Sequence, residues 1–349
     1  MPGTVTYAGW TVTYSIPWAD QQGLVIGKAQ FHDGAADRVV LYRASQPFVL
    51  VPYHSGSPTF KDGLGATCGG LGYTPLIPTA PNVPSWNLPP GNLAGNDGEF
   101  DPAGNPTGAV KVEKPARDEI EPDRLLIWAK FQVGNYQYVH QWEFRADGSI
   151  HVRVGLGGRL YRFTAPTMGH VHNFYFRLDF DVDGSANDVV QRFEHGSNNP
   201  GADQWSSITV EGRQSADPTR FTTWRVADKT PKANGMLPSW EIIPGSDGAP
   251  DGTYSTGDLW VVRYVPGAED GVDVGCTDDR LNTVYLSGEN VDGQDVVVWH
   301  VLRHHHHPRS VGEETDVVPY EFLEFHIEPR DIRGATATGL YATDPPSPL

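Results

Sequence analysis

What most constrains this chain is the recurrence of short β-type runs from end to end, with no sustained helical period between them. They fall at 24–26, 39–42, 48–51, 125–128, 138–144, 150–154, 174–180, 189–193, 221–226, 259–265, 296–302 and 320–327. Most are short and bounded by Gly, Pro, Asp or Asn, the residues that end strands and open turns. This pattern predicts an all-β fold, a large antiparallel β-sandwich with long loops. The 39 Gly and 29 Pro fit that loop content, and 14 Tyr, 14 Phe and 10 Trp can fill a sizeable core. The Pro-, Gly- and Asn-rich stretch 73–108 reads as a long loop over one domain spanning 1–349. The strand pattern is the same in kind on either side, which argues against a linker between two domains. Residues 344–349 read as a loose tail.

Charge narrows the partners. Lys and Arg number 26 against 43 Asp and Glu, a net −17 that repels nucleic acid and anionic membrane. No apolar run approaches the ~20 residues of a membrane helix. The opening Met-Pro-Gly-Thr-Val-Thr-Tyr lacks the charged and apolar regions of a signal peptide. The expectation is a soluble, cytoplasmic protein. Two cysteines, Cys68 and Cys276, stand about two hundred residues apart; they indicate no disulfide framework and leave a single bridge open.

Two stretches carry chemistry. In Val133-Gly134-Asn135-Tyr136-Gln137-Tyr138 the two tyrosines share one face of a strand, which alone is how an ordinary β core looks. In the run from His170 to Gly184, one strand would place His170, His172, Phe174, Phe176, Leu178 and Phe180 on a common face. Two imidazoles in an apolar layer need partners, either within the core or from one metal that serves both. A His-x-His chelate on a strand suits copper, zinc or iron. A third ligand could come from His300 or from His304, His305, His306 and His307, and residue chemistry does not choose among them. Asp179, Asp181 and Asp183 ahead of Gly184 suit a hard cation such as calcium, or a polar turn at a strand end.

With both stretches in view, the chain resembles the catalytic domain of the copper-containing amine oxidases. Leu41-Tyr42-Arg43-Ala44-Ser45 and Val51-Pro52-Tyr53 resemble the run ahead of the family's base. Val133-Gly134-Asn135-Tyr136 resembles its cofactor motif, and His170-Val171-His172 through Asp183-Gly184 its copper-ligand strand. The segment from Trp299 to Arg309 resembles the third-ligand segment, where a histidine follows a tryptophan by seven residues. That resemblance selects His306. It implies Cu(II) on His170, His172 and His306, and a topaquinone formed from Tyr136. Asp62 would be the proton-abstracting base, although an Asp before Gly is otherwise a common turn residue. Tyr53 would hydrogen-bond the quinone oxygen and Asn135 would orient the ring. Asp179, Asp181, Asp295 and the Phe180 carbonyl would hold a peripheral calcium. The implied reaction takes a primary amine and O2 to an aldehyde, ammonia and hydrogen peroxide, in a homodimer.

The chain also departs from the family. The sequence begins close to where the catalytic domain would, so the family's N-terminal domains are expected to be absent; the segment from Gly63 to Gly70 is contracted, and Val318 replaces the methionine expected near Pro319. The Phe-Phe-Asp ending after Glu328-Pro329 is missing. A minimal oxidase with an altered substrate entrance is the expectation. A retired copper- or calcium-binding scaffold, or a non-haem metal oxygenase with unmodified Tyr136, are the alternatives.

Overall fold

The computed structural model describes residues 3–17, 21–53, 59–75, 110–158, 169–196, 204–232, 235–245, 248–267, 271, 273–306 and 318–332. Positions 76–108 of the long loop and the tail 344–349 lie outside the described residues. In chain order the strands are β1 (Gly3–Tyr7), β2 (Trp10–Ser15), β3 (Val25–His32), β4 (Asp37–Pro52), β5 (Thr59–Gly63), β6 (Thr74–Pro75) and β7 (Val110–Glu113). There follow β8 (Arg124–Val133), β9 (Tyr136–Arg145), β10 (Ile150–Gly158), β11 (His170–Phe180), β12 (Asp188–Glu194) and β13 (Gln204–Ile208). The last are β14 (Gly212–Gln214), β15 (Thr223–Asp228), β16 (Ser239–Ile243), β17 (Leu259–Arg263), β18 (Val296–His306) and β19 (Val318–Arg330).

These strands form the two large antiparallel sheets that the sequence predicts. One runs β1-β2-β3-β4-β11-β18-β17-β14 with β5 beside β4; the other runs β13-β12-β15-β16-β19-β10-β9-β8-β6 with β7 beside β8. Alternation along the strands sends one face of each sheet into a shared core. From β11 come Phe174, Phe176, Leu178 and Phe180; from β9 come Tyr136, Tyr138, Trp142 and Phe144. Trp142 meets Phe176 edge-on across the gap, with ring centroids 6.4 Å apart. A buried Leu-, Val- or Phe-sized side chain contributes about 1.5–3 kcal/mol, so these two inner faces carry much of the stability.

The outer face of the first sheet is apolar too. Phe48, Leu50, Tyr175, Trp260 and Trp299 lie there with Val274, Leu281 and Tyr285 from the segment before β18, a second buried cluster. Tyr175 therefore points away from the histidine face, as the alternation requires. A disulfide joins Cys68, just beyond β5, to Cys276 in that covering segment, 208 residues away. The single bridge left open in the sequence is thus present.

Strand ends differ from the sequence pattern where polar residues interrupt apolar runs. The runs 39–42 and 48–51 belong to one long strand, because the intervening Ser45 and Gln46 are buried with partners of their own. The β1–β2 hairpin is not in the sequence pattern at all, since threonines alternate with its Val, Tyr and Trp. Its turn is set by Ala8 and Gly9, both at positive φ, the conformation that matches strand twist in a tight hairpin.

Cys276→Ser should lower the unfolding free energy by about 2–4 kcal/mol, since the bridge closes a long loop. Urea midpoints with and without the substitution measure it. A midpoint unmoved by the substitution would contradict a stabilising bridge.

Candidate metal and tyrosine centre

The centre is assembled by register. Antiparallel pairing of β11 with β18 sets His170 opposite His306 and His172 opposite His304, so four imidazoles project from one face. β9, in the opposite sheet, supplies Tyr136 as its first residue and Tyr138 two positions on. All of these side chains are buried.

Three imidazoles form a tight group: the ligand nitrogens of His170, His172 and His306 all lie within 4.8 Å of one another. His170 Nε2 and His172 Nε2 face each other at 3.0 Å. Burial, with His170, His306 and His304 beside it, holds the His172 imidazole well below its ordinary pKa and therefore neutral. Neutral, converging nitrogens are what a borderline metal needs. The Tyr136 hydroxyl completes the group, 3.1 Å from His170 Nε2 and 3.4 Å from His306 Nδ1. His304 stands apart from it, because its Nε2 lies 2.8 Å from Glu321 Oε2 on β19. His305, between them, faces solvent. The structure therefore places His306, and not its neighbours, in the triad.

Tyr53, at the end of β4, stacks on His170 with ring centroids 4.1 Å apart, and its hydroxyl lies 3.5 Å from that of Tyr136. Tyr138 is more than the core ring read from the sequence. Its hydroxyl lies 3.1 Å from His172 Nδ1, so it fixes that ring from behind while Nε2 faces the group. The i, i+2 spacing placed both tyrosines on the histidine face but gave no sign of this bond. Asn135 is not brought in: it sits exposed in the β8–β9 turn, and its side chain makes no hydrogen bond among the described residues.

Asp62 lies on β5, buried, opposite Val49 of β4. Burial raises its carboxyl from 3.8 to about 7, against the lowering effect of the Leu71 N–H, which donates to Oδ1 at 2.9 Å. Its Oδ2 accepts no hydrogen bond among the described residues. The hairpin that carries it is held firmly. The buried ammonium of neighbouring Lys61 donates to the carbonyls of Leu64 (2.6 Å), Gly65 (3.0 Å) and Gly271 (2.9 Å), matching its three N–H donors. At Gly63, φ is +96°, and a Cβ there would sit 2.3 Å from the Pro47 carbonyl oxygen, so glycine is required directly after Asp62. Burial raises the Tyr73 hydroxyl well above its ordinary pKa, with the nearby Asp62 charge adding to it, and the hydroxyl donates to Gln46 Oε1 at 2.8 Å. The contracted segment therefore folds back over the aspartate and delivers Tyr73 beside it.

The peripheral aspartates also gather. Burial, then mutual repulsion, raises Asp181 to about 6 and Asp295 to about 7, while Asp179 is raised despite its ion pair with Arg177 at 3.1 Å. Asp188, which sequence reasoning missed, is raised to about 9 by burial and by Asp181, Asp295, Asp228 and Asp179. Neither of its oxygens has a hydrogen-bond partner among the described residues. Asp188 lies outside the Asp-x-Asp alternation, which is why the pattern did not flag it.

Residues 113–335 match the family model of the copper amine oxidase enzyme domain. Over 93% of its length the chain is 25% identical to the peroxisomal copper-containing amine oxidase alpha 2 of Arabidopsis thaliana, covering 58% of that protein. It is 26% identical to a primary amine oxidase of Klebsiella aerogenes over 96% of its length, covering 53% of that protein. The chain thus spans little more than half the length of these relatives. Among solved structures, the copper-containing benzylamine oxidase of Hansenula polymorpha superposes with a TM-score of 0.65 at 18% identity. That match covers 94% of this chain and 59% of the other, and it supports the fold.

The buried Asp62 gives a pH-dependent stability. Between its unfolded value near 3.8 and its folded value of about 7, the folded state holds a proton that the unfolded chain has released. Its contribution is complete below the unfolded pKa and is lost as pH rises through about 7. Asp62→Asn stays neutral, so its unfolding free energy should gain on wild type from acid to mildly alkaline pH, by up to about 4 kcal/mol. Urea titrations at both ends of that window measure the gain; an unchanged gap would show that the carboxyl is not buried as described.

Proposed function

The chain belongs to the copper amine oxidase family, and from that we propose that it oxidises a primary amine with dioxygen and water, yielding an aldehyde, ammonia and hydrogen peroxide. The observation that carries this reading is the Tyr136 hydroxyl among His170 and His306, at 3.1 and 3.4 Å. A structural tyrosine has no need of two imidazoles at its oxygen, whereas a ring to be modified at copper has to be held there.

His170, His172 and His306 would hold the metal, with nitrogens already converging and the His172 ring neutral. When bound, copper supplies one-electron chemistry with dioxygen, and a topaquinone made from Tyr136 supplies the electrophilic carbonyl and electron sink for the amine. Tyr138 orients His172 by its hydroxyl. Tyr53 offers its hydroxyl to the oxygen of the Tyr136 ring.

Asp62 takes the α-proton of the amine. A base needs a carboxylate that is ionised in a useful fraction at working pH yet still basic, and a pKa of about 7 meets both demands. The single N–H donor on Oδ1 leaves Oδ2 to accept that proton. Tyr73 and the folded-back segment 63–73 shape the surroundings of the base, and so bear on which amine reaches it. The aspartates around Asp188 suit calcium, a hard cation that relieves their mutual repulsion. A homodimer accompanies this reading on the strength of the family alone.

Two variants separate the roles. Asp62→Asn should still acquire the quinone but lose amine-dependent peroxide release by more than about a hundredfold, the usual scale for a general base. In wild type, turnover should rise with pH through about 7 as Asp62 ionises. His306→Ala should abolish both copper retention and quinone, while His304→Ala retains them. Peroxide release that survives in Asp62→Asn would put the base elsewhere, and equal behaviour of the two histidine variants would undo the ligand assignment.

A further inference from the structure

A second constellation lies outside this centre, on the outward face of the other sheet. β10 pairs with β19 so that His151 stands directly opposite His326, and Glu328 follows two residues along on the same face. The two imidazoles stack face to face, with centroids 3.8 Å apart and planes 8° apart. Glu328 Oε1 lies 3.6 Å from His151 Nε2 and 3.8 Å from His326 Nδ1, and the three ligand atoms are all within 4.8 Å of one another. These separations are too long for hydrogen bonds. The two separations to Glu328 are within a few tenths of the ~3.4 Å between ligand atoms on a tetrahedral zinc with bonds of about 2.0–2.2 Å, and the partly exposed His326 ring has only to turn out of the stack for both lone pairs to meet at one ion.

We propose that His151, His326 and Glu328 form a second metal site, one that binds a divalent ion of zinc's class on two imidazoles and a carboxylate.

The surrounding groups suit that role. His326 Nε2 lies 3.3 Å from Glu324 Oε1, so the nitrogen away from the metal has the carboxylate partner that orients a ligating histidine. Glu324 is in turn fixed by Arg153, whose Nε lies 2.5 Å from Oε2. Arg145 Nη1 lies 3.4 Å from His151 Nε2. A guanidinium has no acceptor, so the nitrogen facing it presents the lone pair that a ligand needs. Arg145 keeps its own carboxylates, Glu121 and Glu143, when a metal takes that lone pair. The His326 and Glu328 side chains are 32% and 31% exposed, so an ion can enter from solvent and a water can fill the fourth position.

The site is separate from the tyrosine centre. His151 pairs with Glu143 on β9, seven residues beyond Tyr136, which at about 3.4 Å per residue is over 20 Å along the strand. Glu143 also lies on the opposite face of that strand from Tyr136. Loss of one site therefore need not affect the other.

The test uses protein already loaded with copper, titrated with zinc alone and analysed for both metals after gel filtration. One zinc per chain beyond the copper is expected. His326→Gln and Glu328→Gln should each weaken its retention at least about tenfold with copper unchanged, and Co(II) in place of zinc should give a tetrahedral absorption that both variants lose. Both positions are partly exposed, so neither substitution empties a core, and melting in chelator should match wild type. No retained zinc, or zinc held equally by wild type and both variants, would overturn the site.

Discussion

Pairing His170 with His306 across β11 and β18 is the constraint on which the rest of the centre rests. Strand side chains alternate, so a slip of β11 by one residue would turn both of its histidines toward the face of Tyr175 and Trp299 and leave His306 alone of the three on the inner face. The aromatic residues that follow on β11, from Phe174 to Phe180, anchor the register by burying against β9 and β19. The same packing brings Tyr136 up to the imidazoles from the opposite sheet. Core and histidine–tyrosine group are thus one continuous layer, polar at one end and apolar along the remainder.

Asp62 is positioned by different means. β5 is a short strand at the side of β4, with too little apolar surface to hold itself. Its rigidity comes from the Lys61 ammonium on three carbonyls, from the bridge between Cys68 and Cys276, and from glycine at 63. A carboxyl with its pKa raised to about 7 destabilises its surroundings when ionised, and such a group persists where other interactions fix the backbone around it. The contraction after Asp62 leaves these supports in place and sets Tyr73 next to the aspartate.

Much of this was legible in the sequence, for physical reasons. The apolar alternation from His170 to Phe180 gave the strand, its inward face and two ligands, and the resemblance singled out His306, Tyr136 and Asp62. What stayed hidden depends on contacts between distant segments. Nothing local joins Cys68 to Cys276, pairs His304 with Glu321, or aims the Tyr138 hydroxyl at His172. The long strand β4 read as two because buried Ser45 and Gln46 look like a break until their partners are known. Asn135 shows the converse. Its motif resembled the family's, yet its side chain points into solvent at the turn.

On the reading we propose, the chain's own histidines and tyrosine make the cofactor without another enzyme. Adding Cu(II) and air to metal-free protein tests it most directly, followed by phenylhydrazine and by mass analysis of the peptide that carries Tyr136. A quinone absorbance that phenylhydrazine shifts is expected, with a Tyr136 peptide that has gained oxygen. Copper bound with no colour, and a Tyr136 peptide of unchanged mass, would contradict it.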